Sequence, residues 1–255
     1  MISMMKPVLY FRAILFWIGF GISTAMTGLV TPFLLPLSSE ASYRVLVPWT
    51  RFNLWWLKIT CGVKYNVVGA ENVDLNRNGI ILANHQSTWE TLFIPAYFPP
   101  ISWVLKRELF KIPLFGWALS QIKPIAVDRS AGSSAMEQVK ENGKIRLDGG
   151  NWVCIFPEGT RVKPGQTVRY KMGGAFLAEH CAKTSEDGKG YPIYPVAHNA
   201  GECWPRHSFI KYPGTITVSI GLPFSVENLA PVEINARVKS WIEAEVEKMP
   251  PAVKS

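Results

Sequence analysis

Two short polar motifs hold the residues best suited to chemistry. Asn84-His85-Gln86-Ser87-Thr88-Trp89-Glu90 follows the apolar run 79–83, and Phe156-Pro157-Glu158-Gly159-Thr160-Arg161 follows the apolar run 152–155. The first offers an imidazole as a general base. A carboxylate further on could accept from one ring nitrogen, fix the tautomer and leave the other nitrogen to take a proton. The second offers a proline-stiffened strand exit, a glycine turn with accessible backbone N–H groups and, in Arg161, a fork of donors that fits phosphate oxygens. Glu158 could brace a nearby cation or the turn itself. A base plus a phosphate anchor outlines an enzyme acting on a phosphorylated hydroxyl compound. Taken singly, each motif also fits a plainer role: a histidine satisfied by backbone at a strand end, or a structural Glu–Arg pair in a loop.

Geometry restricts the first pair. On a regular helix five residues turn through about 500°, which leaves His85 and Glu90 about 140° apart. They meet only if His85 lies in the loop before a helix and Glu90 in its first turn, with Ser87 or Thr88 as N-cap. Two further stretches accompany the motifs. Residues 106–117 put Lys106, Arg107 and Lys111 beside an apolar, proline-kinked surface, which suits a substrate with a charged head and a greasy tail, or a membrane-facing loop. Tyr194-Pro195-Val196-Ala197-His198-Asn199 runs from apolar to polar and reads as sheet core and site wall.

The elements that must position these residues follow from periodicity. Short apolar runs at 64–68, 79–83, 102–105, 125–127, 152–156, 193–197 and 215–220 read as strands. Helical patterns cover 88–97, 114–121, 133–147, 173–183 and 231–248. Strands interleaved with helices predict an α/β domain over 63–255, one central mixed sheet flanked by helices. Reacting groups collect at the carboxyl ends of strands in such sheets, which is where both motifs fall.

Residues 1–62 differ in character. No charged residue occurs from Ala13 to Ser39. As a helix, 13–31 would be roughly 28 Å long, close to the hydrocarbon thickness, with Pro32 and Pro36 ending it. Over 43–63, Arg44, Arg51 and Lys58 recur every seven residues, drifting only about 20° per step, among Leu46, Phe52, Leu54, Trp55, Trp56 and Ile59. That pattern reads as a helix lying in a membrane interface, with Pro48 arguing against one long helix. The segment is therefore expected to anchor the chain in a bilayer. Lys6 and Arg12 before the apolar run favour a cytosolic N-terminus. A single span would then leave the active site on the far side, so a re-entrant or half-inserted anchor is preferred.

Composition agrees. Apolar residues make up 48% and charged residues 18%, and the net charge of +8 suits anionic partners. No Lys/Arg-rich run marks a nucleic-acid tail, so lipid is favoured over nucleic acid. Cys61, Cys154, Cys181 and Cys203 are scattered without metal-ligand spacing and read as small hydrophobes in a reducing compartment.

Together the four stretches, in this order and at these distances, resemble the four sequence blocks of the glycerolipid acyltransferases, and most closely those of the bacterial 1-acylglycerol-3-phosphate acyltransferases. The resemblance covers about 79–199. It implies that His85 takes the proton from the acceptor hydroxyl and that Glu90 stands where the family most often has aspartate. It implies that Lys106 and Arg161 hold the acceptor's phosphate, that Glu158, Gly159 and Thr160 complete that binding loop, and that Asp128-Arg129 shape the same pocket. The implied reaction is direct attack of the hydroxyl of lysophosphatidic acid on the thioester of acyl-CoA or acyl carrier protein, giving phosphatidic acid. No acyl-enzyme, cofactor or metal is required, and no G-x-S-x-G elbow is present. Backbone N–H groups at Ser87–Thr88 are the expected oxyanion donors. The implied location is the bacterial inner membrane, with the catalytic domain on the cytoplasmic face. Rival readings are another lysolipid acceptor, a non-catalytic lipid-binding protein and a lipid hydrolase.

Overall fold

A computed structural model describes residues 2–34, 36–111, 115–128 and 133–253. Seven strands form one sheet: β1 (Val63–Val68), β2 (Ile80–Ala83), β3 (Ile101–Lys106), β4 (Ile125–Val127), β5 (Trp152–Ile155), β6 (Ile193–His198) and β7 (Gly214–Ile220). Their spatial order is β1-β7-β6-β2-β5-β3-β4. Every neighbouring pair is parallel except β6–β7. All seven sequence-predicted strands are therefore found, and the sheet is mixed as expected.

β2, β5 and β6 lie side by side at the centre and are buried along their whole length. That is why they read as continuous apolar runs rather than alternating ones. Side chains still alternate between two cores. Ile80 and Leu82 face one with Leu177, Val238 and Ile242, while Ile81 and Ala83 face the other with Trp89, Phe93 and Trp152. The first core lies under α5 (Ser133–Asp148), α6 (Gly173–Thr184) and α8 (Pro231–Lys248). The second lies under α3 (Trp89–Tyr97) and the N-terminal helices. Two short helices complete the set, α4 (Phe115–Gln121) and α7 (Ala200–Cys203). The parallel register, Leu82 opposite Ile155 and Ala83 opposite Val196, brings the ends of β2, β5 and β6 to one edge.

The N-terminal region is a helical pair. α1 (Ile2–Val30) begins well before the apolar run, because Lys6, Pro7 and Arg12 are accommodated in its first turns. A 3-10 turn at Thr31–Leu34 follows, with Pro32 where a stop is expected. α2 (Ser39–Cys61) is one continuous helix despite Pro48. Leu46, Val47, Leu54 and Leu57 are buried on both sides of that proline, so tertiary packing overrides the local cost. Ser38 caps its start and Gly62, at φ +70, its end.

The helices run antiparallel. Arg12 Nε donates to Thr60 O at 2.6 Å, Trp56 Nε1 to Leu15 O at 3.2 Å and Ser23 Oγ to Asn53 Oδ1 at 3.3 Å. Arg12, read from the sequence as a topology signal, thus places its charge at the carbonyl end of α2, where the helix dipole favours a cation. The pair shares the second core: Phe16 and Leu57 are fully buried, and Phe16 packs edge-on against Trp204 of the α/β body with ring centroids 5.2 Å apart. Outside, α1 exposes Val8, Phe11, Ile18, Ile22, Met26 and Leu29 at helical spacing. On α2, Phe52, Trp55 and Ile59 are exposed beside Arg44, Arg51 and Lys58, whereas Leu46 and Leu54 turn inward.

Candidate active site

His85 lies in the loop between β2 and α3, and Glu90 in the first turn of α3, as the angular argument requires. His85 Nδ1 and Glu90 Oε1 are 2.7 Å apart. The same oxygen accepts the backbone N–H groups of Gln86 at 3.0 Å and Ser87 at 2.8 Å. Burial disfavours a charged Glu90, but the neighbouring His198, His85 and the Ser87 N–H outweigh it and hold the carboxyl below its usual range. An ionised Glu90 makes Nδ1 the protonated nitrogen of His85, so Nε2 carries the free lone pair. The imidazole, stacked on Phe156 at 4.1 Å between centroids, lines the main cavity.

The second motif is fastened directly to the first. Glu158 Oε2 accepts the His85 N–H at 2.7 Å, and the Val162 N–H donates to His85 O at 2.7 Å. Both backbone polar groups of His85 are thus held by the loop after β5. Glu158 is committed to this brace and is not among the cavity-lining residues. Burial pushes its carboxyl up to about 8, opposed by the His85 N–H and aided by the charge of Glu90. Ser87 is committed too: its N–H serves Glu90 and its hydroxyl donates to Trp204 O at 2.7 Å. The expectation of an oxyanion donor at Ser87 is therefore corrected, because that N–H is spent on the carboxylate.

The cavity has a volume of about 1140 Å³. Its cationic side carries Lys106, at the end of β3, together with Thr160 and Arg161 of the β5 loop. Its apolar side runs between α1, α2 and the body past Phe20, Val47, Leu92 and Trp103. Arg129 lies outside the described residues.

A family model described as Acyltransferase matches residues 64–199. The 1-acyl-sn-glycerol-3-phosphate acyltransferase of Pseudomonas aeruginosa is 40% identical over 252 residues, covering 97% of this chain and 95% of that one. The chain belongs to the acyltransferase family. A protein of the same description from Saccharomyces cerevisiae is 30% identical over 185 residues, 68% of this chain and 55% of its own. The crystal structure of the 1-acyl-sn-glycerophosphate (LPA) acyltransferase from Thermotoga maritima shares the fold, with a TM-score of 0.75 at 23% identity, covering 97% of each chain.

In this acyltransferase the structure adds residues that sequence reasoning passed over. Gly159 sits at φ +69, and a Cβ there would come within 2.8 Å of Lys171 Nζ and 2.7 Å of its Cε. The glycine is needed both for its backbone conformation and to let Lys171 lie across the loop. The Lys171 N–H donates to Pro157 O at 2.7 Å, and the residue lines the cavity with Lys106 and Arg161. Arg206 also lines it and donates from Nη1 to Arg161 O at 2.8 Å. Only a basic residue just before a helix start could have flagged Lys171, which is a weak signal. Asn84 clamps the end of β6, donating from Nδ2 to His198 O at 2.8 Å and accepting the His198 N–H at Oδ1 at 3.0 Å.

Proposed function

We propose that this chain transfers a fatty acyl group from the thioester of acyl-CoA or acyl carrier protein to the free hydroxyl of lysophosphatidic acid, giving phosphatidic acid for phospholipid synthesis. The observation that carries this reading is the His85–Glu90 contact, with the imidazole lining a cavity whose walls carry both cationic and apolar side chains. Glu90 holds the imidazole in the Nδ1–H form, so Nε2 takes the hydroxyl proton as oxygen attacks the thioester carbonyl. Collapse of the tetrahedral species expels the thiolate, to which His85 returns the proton. Lys106, Arg161 and Lys171 hold the phosphate, with Thr160 as a neutral donor. The apolar side takes the acyl chains.

The enzyme is membrane-associated, with its α/β body on the cytoplasmic face of a bacterial inner membrane. Among the described residues, α1 alone is long and apolar enough to cross, by length and composition. It is clamped along α2, however, whose exposed charges Glu40, Arg44, Arg51 and Lys58 run from end to end. A crossing α1 would draw those charges into hydrocarbon, at about 2.5–3.5 kcal/mol each on insertion scales. The pair therefore lies half-inserted, apolar stripe down and cations at headgroup level.

The test is to purify the full chain with its helices and supply lysophosphatidic acid with acyl-CoA or with acyl carrier protein. Phosphatidic acid formation with one of the donors is expected. Its absence with both contradicts the proposal.

A further inference from the structure

The two oxygens of Glu90 are treated differently. Oε1 receives three N–H groups, whereas Oε2 is buried with no hydrogen-bond partner. A buried, unpaired carboxylate oxygen requires an explanation. The polar group facing it is His198 Nε2, 4.0 Å away and itself 1% exposed.

The protonation of His198 is dictated by its backbone neighbours. Nε2 lies 3.0 Å from Asn84 O, a carbonyl that only accepts, so Nε2 bears the hydrogen. The Ala200 N–H points at Nδ1 at 3.3 Å, so Nδ1 must be bare. Protonating it would set two N–H groups against each other. His198 is thus held as a neutral Nε2–H ring. Burial, which depresses its basicity against the pull of Glu90, acts in the same direction.

We propose that His198 is a positioning residue of the His85–Glu90 pair: fixed as the neutral Nε2–H tautomer, it turns the positive edge of its ring toward Glu90 Oε2 and stabilises the base-competent state of the pair. That state carries a net charge of −1, with His85 neutral and Glu90 ionised. The protonated pair is neutral overall, whichever partner holds the proton, so the two titrate as a unit. A fixed N–H dipole beside Oε2 favours the charged state, lowers the proton affinity of the pair and keeps Nε2 of His85 available as a base. Because His198 itself stays neutral, it does this without setting a second cation in the core, where desolvation would be costly. It also ties the end of β2 to β6 through Asn84, immediately before His85.

Among the described residues, the other ionisable groups facing the pair are few. Cys154 on β5 is a neutral thiol, pushed well above its usual range by burial and by Glu90. Glu158 holds the His85 N–H, and its carboxyl, pushed up to about 8 chiefly by burial, also feels the charge of Glu90. The cations Lys106, Arg161 and Lys171 stand on the cavity side.

The inference rests on His85 being the base, so its test reads the ring directly as well as the rate. In ¹⁵N-histidine spectra of the full chain in lipid nanodiscs, His198 is expected to show the neutral Nε2–H pattern and not to titrate between about pH 5 and 8. In His198→Leu the His85 titration midpoint and the acid limb of kcat/KM are expected to rise together, by roughly half a pH unit or more. His198→Gln, which keeps an N–H donor at that place, is expected to restore both. A folded His198→Leu protein with an unmoved midpoint overturns the proposal. If that variant does not fold, a titrating or Nδ1-protonated His198 in the unsubstituted protein overturns it independently. A moved midpoint in a chain that makes no phosphatidic acid would sink the functional reading and leave the role of His198 standing.

Discussion

The two halves of the cavity are built on opposite principles. Around His85 every polar contact is short and enclosed: a carboxylate with three N–H donors, a backbone clamped at both its N–H and its C=O, and a ring stacked on Phe156. On the cationic side, Lys106 and Lys171 are exposed, Arg161 is half-buried, and none of the three appears in an ion pair among the described residues. A proton-transfer group loses rate when misplaced by a fraction of an ångström, so its geometry is set before substrate arrives. A phosphate dianion needs charge more than a single fixed geometry, and long cationic side chains can close on it. Changes on the fixed side are therefore expected in kcat, and changes on the cationic side in KM.

The largest effect is expected at the base. His85→Ala should lower kcat by about 10²–10⁴-fold with a modest change in KM, since general-base catalysis contributes about that much; retention of full activity would remove His85 from its role. Next is the brace behind it. Glu158→Gln keeps an acceptor for the His85 N–H but cannot ionise. The carboxyl of Glu158 is neutral below about 8 and charged above it, which adds negative charge beside His85 and the phosphate. The parent enzyme is thus expected to lose kcat/KM as pH rises through that value. Glu158→Gln should lack this limb, and identical alkaline profiles would refute the assignment. A smaller effect is expected at Lys171→Met, with KM for lysophosphatidic acid up by about tenfold, as for loss of a single charge-assisted contact. The same substitution should leave a phosphate-free monoacylglycerol acceptor unaffected, and an equal loss on both acceptors would deny Lys171 a phosphate contact. The smallest is Glu90→Asp, expected to retain activity within about tenfold, because the charge remains and one of the three N–H contacts is stretched.

Much of this was legible in the residues themselves. The buried strands announced themselves as unbroken apolar runs, and the five-residue spacing of His85 and Glu90 left one workable geometry. Other features were hidden because they depend on tertiary neighbours. Pro48 argued against a long α2, but burial of Leu46, Val47, Leu54 and Leu57 carries the helix through it. Arg12 looked like a membrane-flanking charge, and its use at the end of α2 depends on the antiparallel packing of the two helices. Glu158 stood within a phosphate-type loop, and nothing local reveals that its carboxylate turns to a backbone N–H 73 residues away. His198 read as a site wall because Asn84, which binds it, is 114 residues distant in the chain.

The contrast between the two sides is tested most directly by measuring kcat and KM for lysophosphatidic acid in Glu90→Gln and Arg161→Ala side by side. Glu90→Gln removes the charge that makes His85 a base, and is expected to lose about hundredfold or more in kcat with KM within about twofold. Arg161→Ala is expected to raise KM by about tenfold or more with kcat nearly unchanged. If both substitutions act on the same kinetic constant, the division into a fixed proton-transfer side and an adaptable phosphate side is wrong.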